Sequence, residues 1–410
     1  MRKLIAALLL APAAAFAGGY AIPNENARSL ALSQADVAAQ TGPEAAYQNA
    51  AALAGLVGLG ATGSLEVIAN GTDWSDPTLG SASLRAHPNT PPMLAVSYGD
   101  KIGNGMGYGF GIAFLVPGGG SIFWPNGWPG AGRIQSVDQK VYLTQVSGGF
   151  APIPYVKVGA SFLWYRVTEA LEQQLNFAGP TATASLGLAG SAYTFGLSGE
   201  FDVPNVPLTF AVDYRHQAFT TLEGNAHFDN VPSQFATQLQ DQAASEHLTI
   251  PNQLFLGASY DIDMKTSGDL RLMAAYTLER WIVYRQDQYV GDKGLVITVP
   301  RNYHNAQVYR AAGEYSHPEF LPALTLRLGA ERSISDQPTD TISPTLTDGN
   351  STAVSVGAGF NFTKSLRVDV GYQHAFFDTV TATGPDAFPG SYKTHVNIVS
   401  AGVTWQPGKL

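Results

Sequence analysis

Cysteine is absent from this 410-residue chain, so it has no disulfide and no thiolate metal site. Charge is scarce as well. Asp, Glu, Lys and Arg make up 13% of residues, against roughly 25% in ordinary soluble domains. Acidic side chains outnumber basic ones by 32 to 23, for a net charge of −9, which argues against a nucleic-acid partner. No segment approaches the roughly 18 consecutive apolar residues that a transmembrane helix needs. Catalytic patterns are missing too. His216, His374 and His395 are scattered, no serine sits in a nucleophile elbow, and Asp292 and the other loop acids lack calcium-loop spacing. The chain therefore reads as a non-enzyme with no cofactor and no metal.

What is present points to export and to strands. Met1-Arg2-Lys3 is a short basic start, Leu4 to Ala14 is an apolar stretch too short to span a bilayer, and Ala15-Phe16-Ala17 has the A-x-A cleavage form. Residues 1–17 are expected to be a signal peptide, residues 18–58 an N-terminal segment, and 59–410 the main body. In that body, polarity alternates with period two over about ten residues at a time. Leu366, Val368, Val370 and Tyr372 alternate with Arg367, Asp369, Gly371 and Gln373, and Leu208, Phe210, Val212 and Tyr214 with Thr209, Ala211, Asp213 and Arg215. Similar patterns fill 193–202 and 323–332. Mean hydropathy is close to zero, as expected when half of the wall faces a polar lumen and half faces lipid. The spacing predicts about fourteen strands. Short connections fall near 100–106, 151–154, 203–206, 263–268, 318–322 and 363–365, and long ones near 73–91, 118–136, 169–188, 222–250, 287–303, 336–350 and 380–392. Short turns on one side and long loops on the other are the habit of a transmembrane antiparallel β-barrel in the bacterial outer membrane.

Residues 18–58 do not read as a strand. Arg28 to Gln40 and Glu44 to Leu56 are alanine-rich and suit short helices, separated by Gly42-Pro43 and with Asn26 as a cap. A loose tail and a plug packed in the lumen are the two readings. Small side chains favour the plug.

Three further features bear on function. In a strand expected at 105–117, Gly105, Gly107, Gly109 and Gly111 share the lumen face, Tyr108, Phe110, Ile112, Phe114 and Val116 share the lipid face, and Pro117 has no N–H to donate. That stripe suits either space for a plug or a kinked strand with a gap beside it. The loop 118–136 carries Phe123, Trp124 and Trp128, enough aromatic surface for an outward groove that captures apolar ligand, with Leu171, Leu175 and Phe177 of 169–188 as the next candidates. The equally weighted reading puts these rings in an aromatic girdle or in packed loops. Finally, Arg166, Arg215, Arg310 and Arg327 fall among mixed charges assigned to the lumen. A structural wall network is favoured, and a carboxylate anchor at one of them is the sharper reading.

The order of these pieces resembles the FadL family of long-chain fatty-acid and hydrocarbon channels. The resemblance is carried by Gly18-Gly19-Tyr20 through Arg28, then Tyr47-Gln48-Asn49-Ala50-Ala51 with Leu53-Ala54, where the family usually has Asn-Pro-Ala. It continues through Gly107-Tyr108-Gly109, Pro117-Gly118, Trp128 with Arg133, Leu256 to Tyr260, Trp281, Gly313-Glu314-Tyr315, Leu326 to Gly329, Ser343-Pro344 and Val368 to Tyr372. It covers essentially the whole mature chain. It implies a helical hatch at 18–58, including Asn49, Ala50 and Ala51, and sideways release of ligand beside the third strand. The expected activity is passive uptake of hydrophobic small molecules by a monomer surrounded by outer-membrane lipid and lipopolysaccharide. The alternatives are a porin for polar solutes and a structural or adhesive barrel.

Overall fold

The computed structural model describes residues 26–103, 105–177, 181–384 and 387–407. The expected signal peptide and Gly18 to Glu25 lie outside the described residues. The wall is a closed antiparallel barrel of fourteen strands. They are β1 (Gly58–Asp76), β2 (Pro92–Lys101), β3 (Gly107–Phe123), β4 (Ser136–Ile153), β5 (Val156–Asn176) and β6 (Thr181–Asp202). Next come β7, in two pieces (Leu208–Arg215 and Ala218–Asp229), and β8, also in two (Gln242–Ile250 and Gln253–Asp263). The rest are β9 (Asp269–Glu279), β10 (Ala306–Ser316), β11 (Leu324–Ile334), β12 (Ser351–Thr363), β13 (Leu366–Phe377) and β14 (Ser391–Trp405). Pairing of residues 61–75 with 391–405 joins β1 to β14 and closes the ring.

Closure is what lets strands stand in lipid, because every backbone donor and acceptor then finds a neighbour. Alternation decides the faces. On β11 to β13, Leu326, Leu328, Val354, Val356, Val370 and Tyr372 are exposed on the outside, while Arg327, Ser355, Asp369 and Gln373 are buried inside. Trp164 of β5 and Tyr193 of β6 pair across strands and remain exposed. They mark the upper aromatic girdle.

The long strands correct two boundaries. β5 and β6 run 21 and 22 residues, about twice what a tilted crossing needs. The region 169–188 is therefore a tall hairpin, with Leu171 and Leu175 buried on its inner face. β3 likewise runs on to Phe123, so the loop after it is only 124–135. At the opposite end Gly105 lies in a turn at φ +79, before β3 begins. It is not a residue of the third strand. A left-handed backbone of this kind suits glycine at a tight reversal.

Candidate functional site

Residues 26–57 fill the lower lumen. α1 (Ala27–Ala31) is capped by Asn26, whose Oδ1 accepts from the Ser29 N–H at 2.9 Å. A 3-10 turn at Ala35–Ala38 follows, then α2 (Ala45–Gln48), then a second 3-10 turn at Ala50–Gly55. Asn49 caps that last turn by accepting from the Ala51 N–H at 3.2 Å. Its amide also donates to Val37 O at 3.1 Å and to Glu200 at 3.0 Å on the wall. Ala50 takes the first helical position, where a proline is accommodated but not required.

The wall meets this hatch through glycine. A Cβ on Gly107 or Gly109 would overlap the carbonyl oxygens of Ala54 and Leu53, and one on Gly111 would come within 2.7 Å of the Ala46 methyl. The same close approach recurs around the ring, at Gly149 against Ala50, Gly257 against Val37 and Gly371 against Ala27. The stripe on the third strand thus makes room for the hatch. β3 pairs without interruption from residue 107 to 115 on both sides, so the strand does not bend away at these glycines.

Ion pairs hold the hatch from the side. Arg28 donates to Glu314 and to Asp36, at 3.0 and 3.1 Å, and Ser29 Oγ donates to the other Asp36 oxygen at 2.9 Å. Burial works against the Arg28 charge, but Glu314 and Asp36 outweigh it and hold its pKa above the usual guanidinium value. Arg327 is enclosed between Glu314 and Asp369, at 2.7 and 2.8 Å. Arg310 binds Glu331 at 2.8 Å and the hatch residue Gln34 at 3.1 Å. Arg215 binds Asp213 at 3.2 Å and Tyr47 O at 2.9 Å, with its guanidinium 3.9 Å from the centre of the Tyr47 ring. Arg310 and Arg215 are wall-to-hatch fasteners, while Arg327 braces Glu314, the wall partner of Arg28, against Asp369. Arg166 is not in the lumen: it is exposed on the outer face just beyond Trp164, near Ser191.

Above the hatch lies a chamber of about 510 Å³. Its floor is hatch surface: Gln34, Asp36, Val37, Gln40, Tyr47 and Gln48. Tyr165, Phe255, Trp281 and Val308 are among the wall residues around it. None of these was singled out as a ligand contact in the sequence, where Trp281 belongs to a 3-10 turn and the others are ordinary positions of a strand or hatch.

The chamber reaches the wall beside β3, higher than the glycine stripe. The β2–β3 ladder stops at the Met93–Leu115 pair. Beyond it, residues 84–91 form no ladder: they meet β1 through an isolated Ile68–Asn89 bridge and single bonds from Leu84 N–H to Thr72 O and from Glu66 N–H to Pro91 O, and meet β3 through one bond from Arg85 N–H to Phe123 O. β3 carries a bulge at the same height, where pairing with β4 shifts between Leu115 and Gly118. Pro88, Pro91, Pro92 and Pro117 supply no N–H here, so this edge has few donors with which to ladder. Pro88, Pro91, Val116 and Gly118 line the chamber. So does Lys140, although it alternates with buried Gln139 and Val141 on β4 and so belongs to the outer face.

The expected open aromatic groove is not found. Trp124 is fully buried and Trp128 nearly so. Their rings stack with centroids 4.2 Å apart, and their indoles donate to Pro344 O at 3.1 Å and Ile134 O at 3.0 Å. Trp74 and Phe388 pack against Trp128. Neither tryptophan lines the chamber. They bind three loops into a roof. Phe123 is half-buried at the end of β3, against His87.

Comparison with known proteins agrees with this architecture. A crystal structure of a FadL homologue from Pseudomonas aeruginosa superposes with a TM-score of 0.83 at 16% identity, covering 95% of this chain and 100% of the other. The P. putida toluene transporter TodX gives 0.74 at 16% identity, covering 94% and 98%. The CymD monoaromatic hydrocarbon channel gives 0.70 at 14%, covering 96% and 99%. No curated protein matches the sequence. The model of the outer membrane protein transport protein family (OMPP1/FadL/TodX) matches residues 8–406. This chain belongs to that family, a bacterial outer-membrane β-barrel of the hydrophobic-compound transport type.

Proposed function

We propose that this barrel takes up hydrophobic small molecules by diffusion and passes them sideways into the outer membrane. Ligand occupies the chamber above the hatch and leaves between residues 88–92 and 116–120. The reading rests chiefly on Lys140: a residue whose side chain belongs to the outer face and which also lines the inner chamber marks a place where the wall is thin. That place lies four residue pairs beyond the girdle, since Lys140 pairs with Thr168 and Thr144 with Trp164. Released ligand would enter the outer leaflet near its head-groups. Burial of an alkyl chain contributes about 0.8 kcal/mol per methylene, so a few methylenes are enough to make the chamber a useful way-station. No energy source is needed.

A porin for polar solutes fits less well, because the hatch occupies the lower lumen. A purely adhesive barrel has no use for a chamber. The test is to delete Pro117, which removes the extra residue of the bulge and restores a continuous β3–β4 ladder. Uptake of a labelled long-chain fatty acid and of a labelled arene should both fall severalfold in cells carrying the deletion, with the barrel still heat-modifiable on gels. Normal uptake of both would place the exit elsewhere.

A further inference from the structure

The chamber's charges bear on what it receives, granted the reading above that it is a transit site. Three cations line it, and each already has a carboxylate partner: Arg215 with Asp213, Arg310 with Glu331 and Lys140 with Asp138, the last at 2.7 Å. Four carboxylates line it as well, those of Asp36, Glu279, Glu331 and Asp348. An anionic head-group brought here would face that negative excess and would have to break an existing ion pair to gain a cation.

The floor offers something else. Gln40 and Gln48 rise from the hatch, both more than nine-tenths buried. Their amide nitrogens are fixed downward, Gln40 to Asp36 O at 2.9 Å and Gln48 to Ser29 Oγ at 2.8 Å. This leaves both amide oxygens buried without a hydrogen-bond partner. An unpaired buried acceptor is costly, and the cost is relieved by a ligand that donates. A carboxylate cannot donate, a plain hydrocarbon does neither, and a hydroxyl group donates one hydrogen bond. Val37, Tyr165, Phe255 and Trp281 supply apolar surface for the remainder of such a molecule.

We infer that the chamber prefers neutral hydroxylated hydrocarbons, phenols or alcohols, and places the hydroxyl on the amide oxygen of Gln40 or of Gln48. Gln48 then links ligand to hatch, through Ser29 and Asp36 to the Arg28 ion pair.

The test uses purified full-length protein in detergent and calorimetric titration at pH 7.5 with three molecules of equal framework: toluene, p-cresol and p-toluate. Cresol should bind about three- to tenfold more tightly than toluene, the usual value of one neutral hydrogen bond, and toluate should bind weakest. The double variant Gln40→Leu, Gln48→Leu should lose the cresol advantage and keep its toluene affinity. Since the series on the unaltered protein already decides the matter, a variant that fails to fold does not remove the test. Toluene binding with no gain for cresol, or toluate binding tightest, overturns the inference but leaves the hydrophobic-channel reading intact. If none of the three binds and cells show no arene uptake, both readings fall.

Discussion

Arg28 of the hatch and Glu314 of β10 meet fork to fork: Nε donates to one carboxylate oxygen and Nη2 to the other, each at 3.0 Å. The pair is buried and spans 286 residues of sequence, so it ties the first described turn of the chain to the far wall. Replacing Arg28 with alanine should loosen the hatch by about 3–5 kcal/mol, the usual cost of removing one member of a buried pair. Glu314 retains Arg327, so the wall should hold. Single-channel recording in planar bilayers should show more frequent or larger ion conductance, with an unchanged β spectrum by circular dichroism.

Gly109→Val provides an independent test of hatch placement. Valine suits a strand better than glycine, so the wall itself gains. Its side chain, however, would enter the space of the Leu53 carbonyl. The expected variant is a stable barrel with a displaced hatch and raised conductance. Conductance equal to that of the parent would mean that the lower lumen is not closed by this contact.

For Trp124→Ala, the roof is the affected part. A buried ring of this size contributes roughly 3–5 kcal/mol, and its indole bond to Pro344 is lost with it. Trypsin should cut faster at exposed Arg133, within loop 124–135, while heat-modifiability of the barrel stays the same. Uptake at limiting substrate should not fall, because the ring lies outside the chamber.

Loop 335–350 should respond to pH. Burial pushes the Asp348 carboxyl up to about 6, with Asp336 close by and Ser335 Oγ donating to it at 2.9 Å. An acid held above its unfolded value binds its proton more tightly in the folded loop. The folded form therefore has its full advantage below about pH 4 and loses it as pH rises through 6, by up to roughly 3 kcal/mol. Hydrogen exchange across 335–350, corrected for intrinsic rate, should be slower at pH 5 than at pH 8. Asp348→Asn should flatten that difference.

Much of the wall was legible because lipid and lumen make opposite demands on alternate residues. On β13, Val370 and Tyr372 against Asp369 and Gln373 leave no doubt about phase. Arg166 shows where this fails. From Phe162 to Val167 both faces are apolar apart from Arg166, with Phe162 and Trp164 outward and Leu163, Tyr165 and Val167 inward, so no alternation in polarity marks the side on which the arginine lies. Trp124 and Trp128 were ambiguous for a different reason. An aromatic loop has the same composition whether it forms a groove or a roof, and the residue that decides, Pro344, is 220 positions away. The glycine stripe was visible, but its occupant lay 53 to 65 residues earlier in the chain and could not be read from spacing.

The pairing of β1 with β14 also bears on biogenesis. That seam joins segments more than 300 residues apart, the kind of contact whose closure is slowest to form. The hatch runs into β1 with only Leu56 and Val57 between its last turn and the strand. A chain exported N-terminus first therefore carries its plug on one lip of the seam long before the other lip is made. The plug can serve as a mandrel: strands laid around it by their glycines acquire the right circumference before the last strand docks and the ring locks.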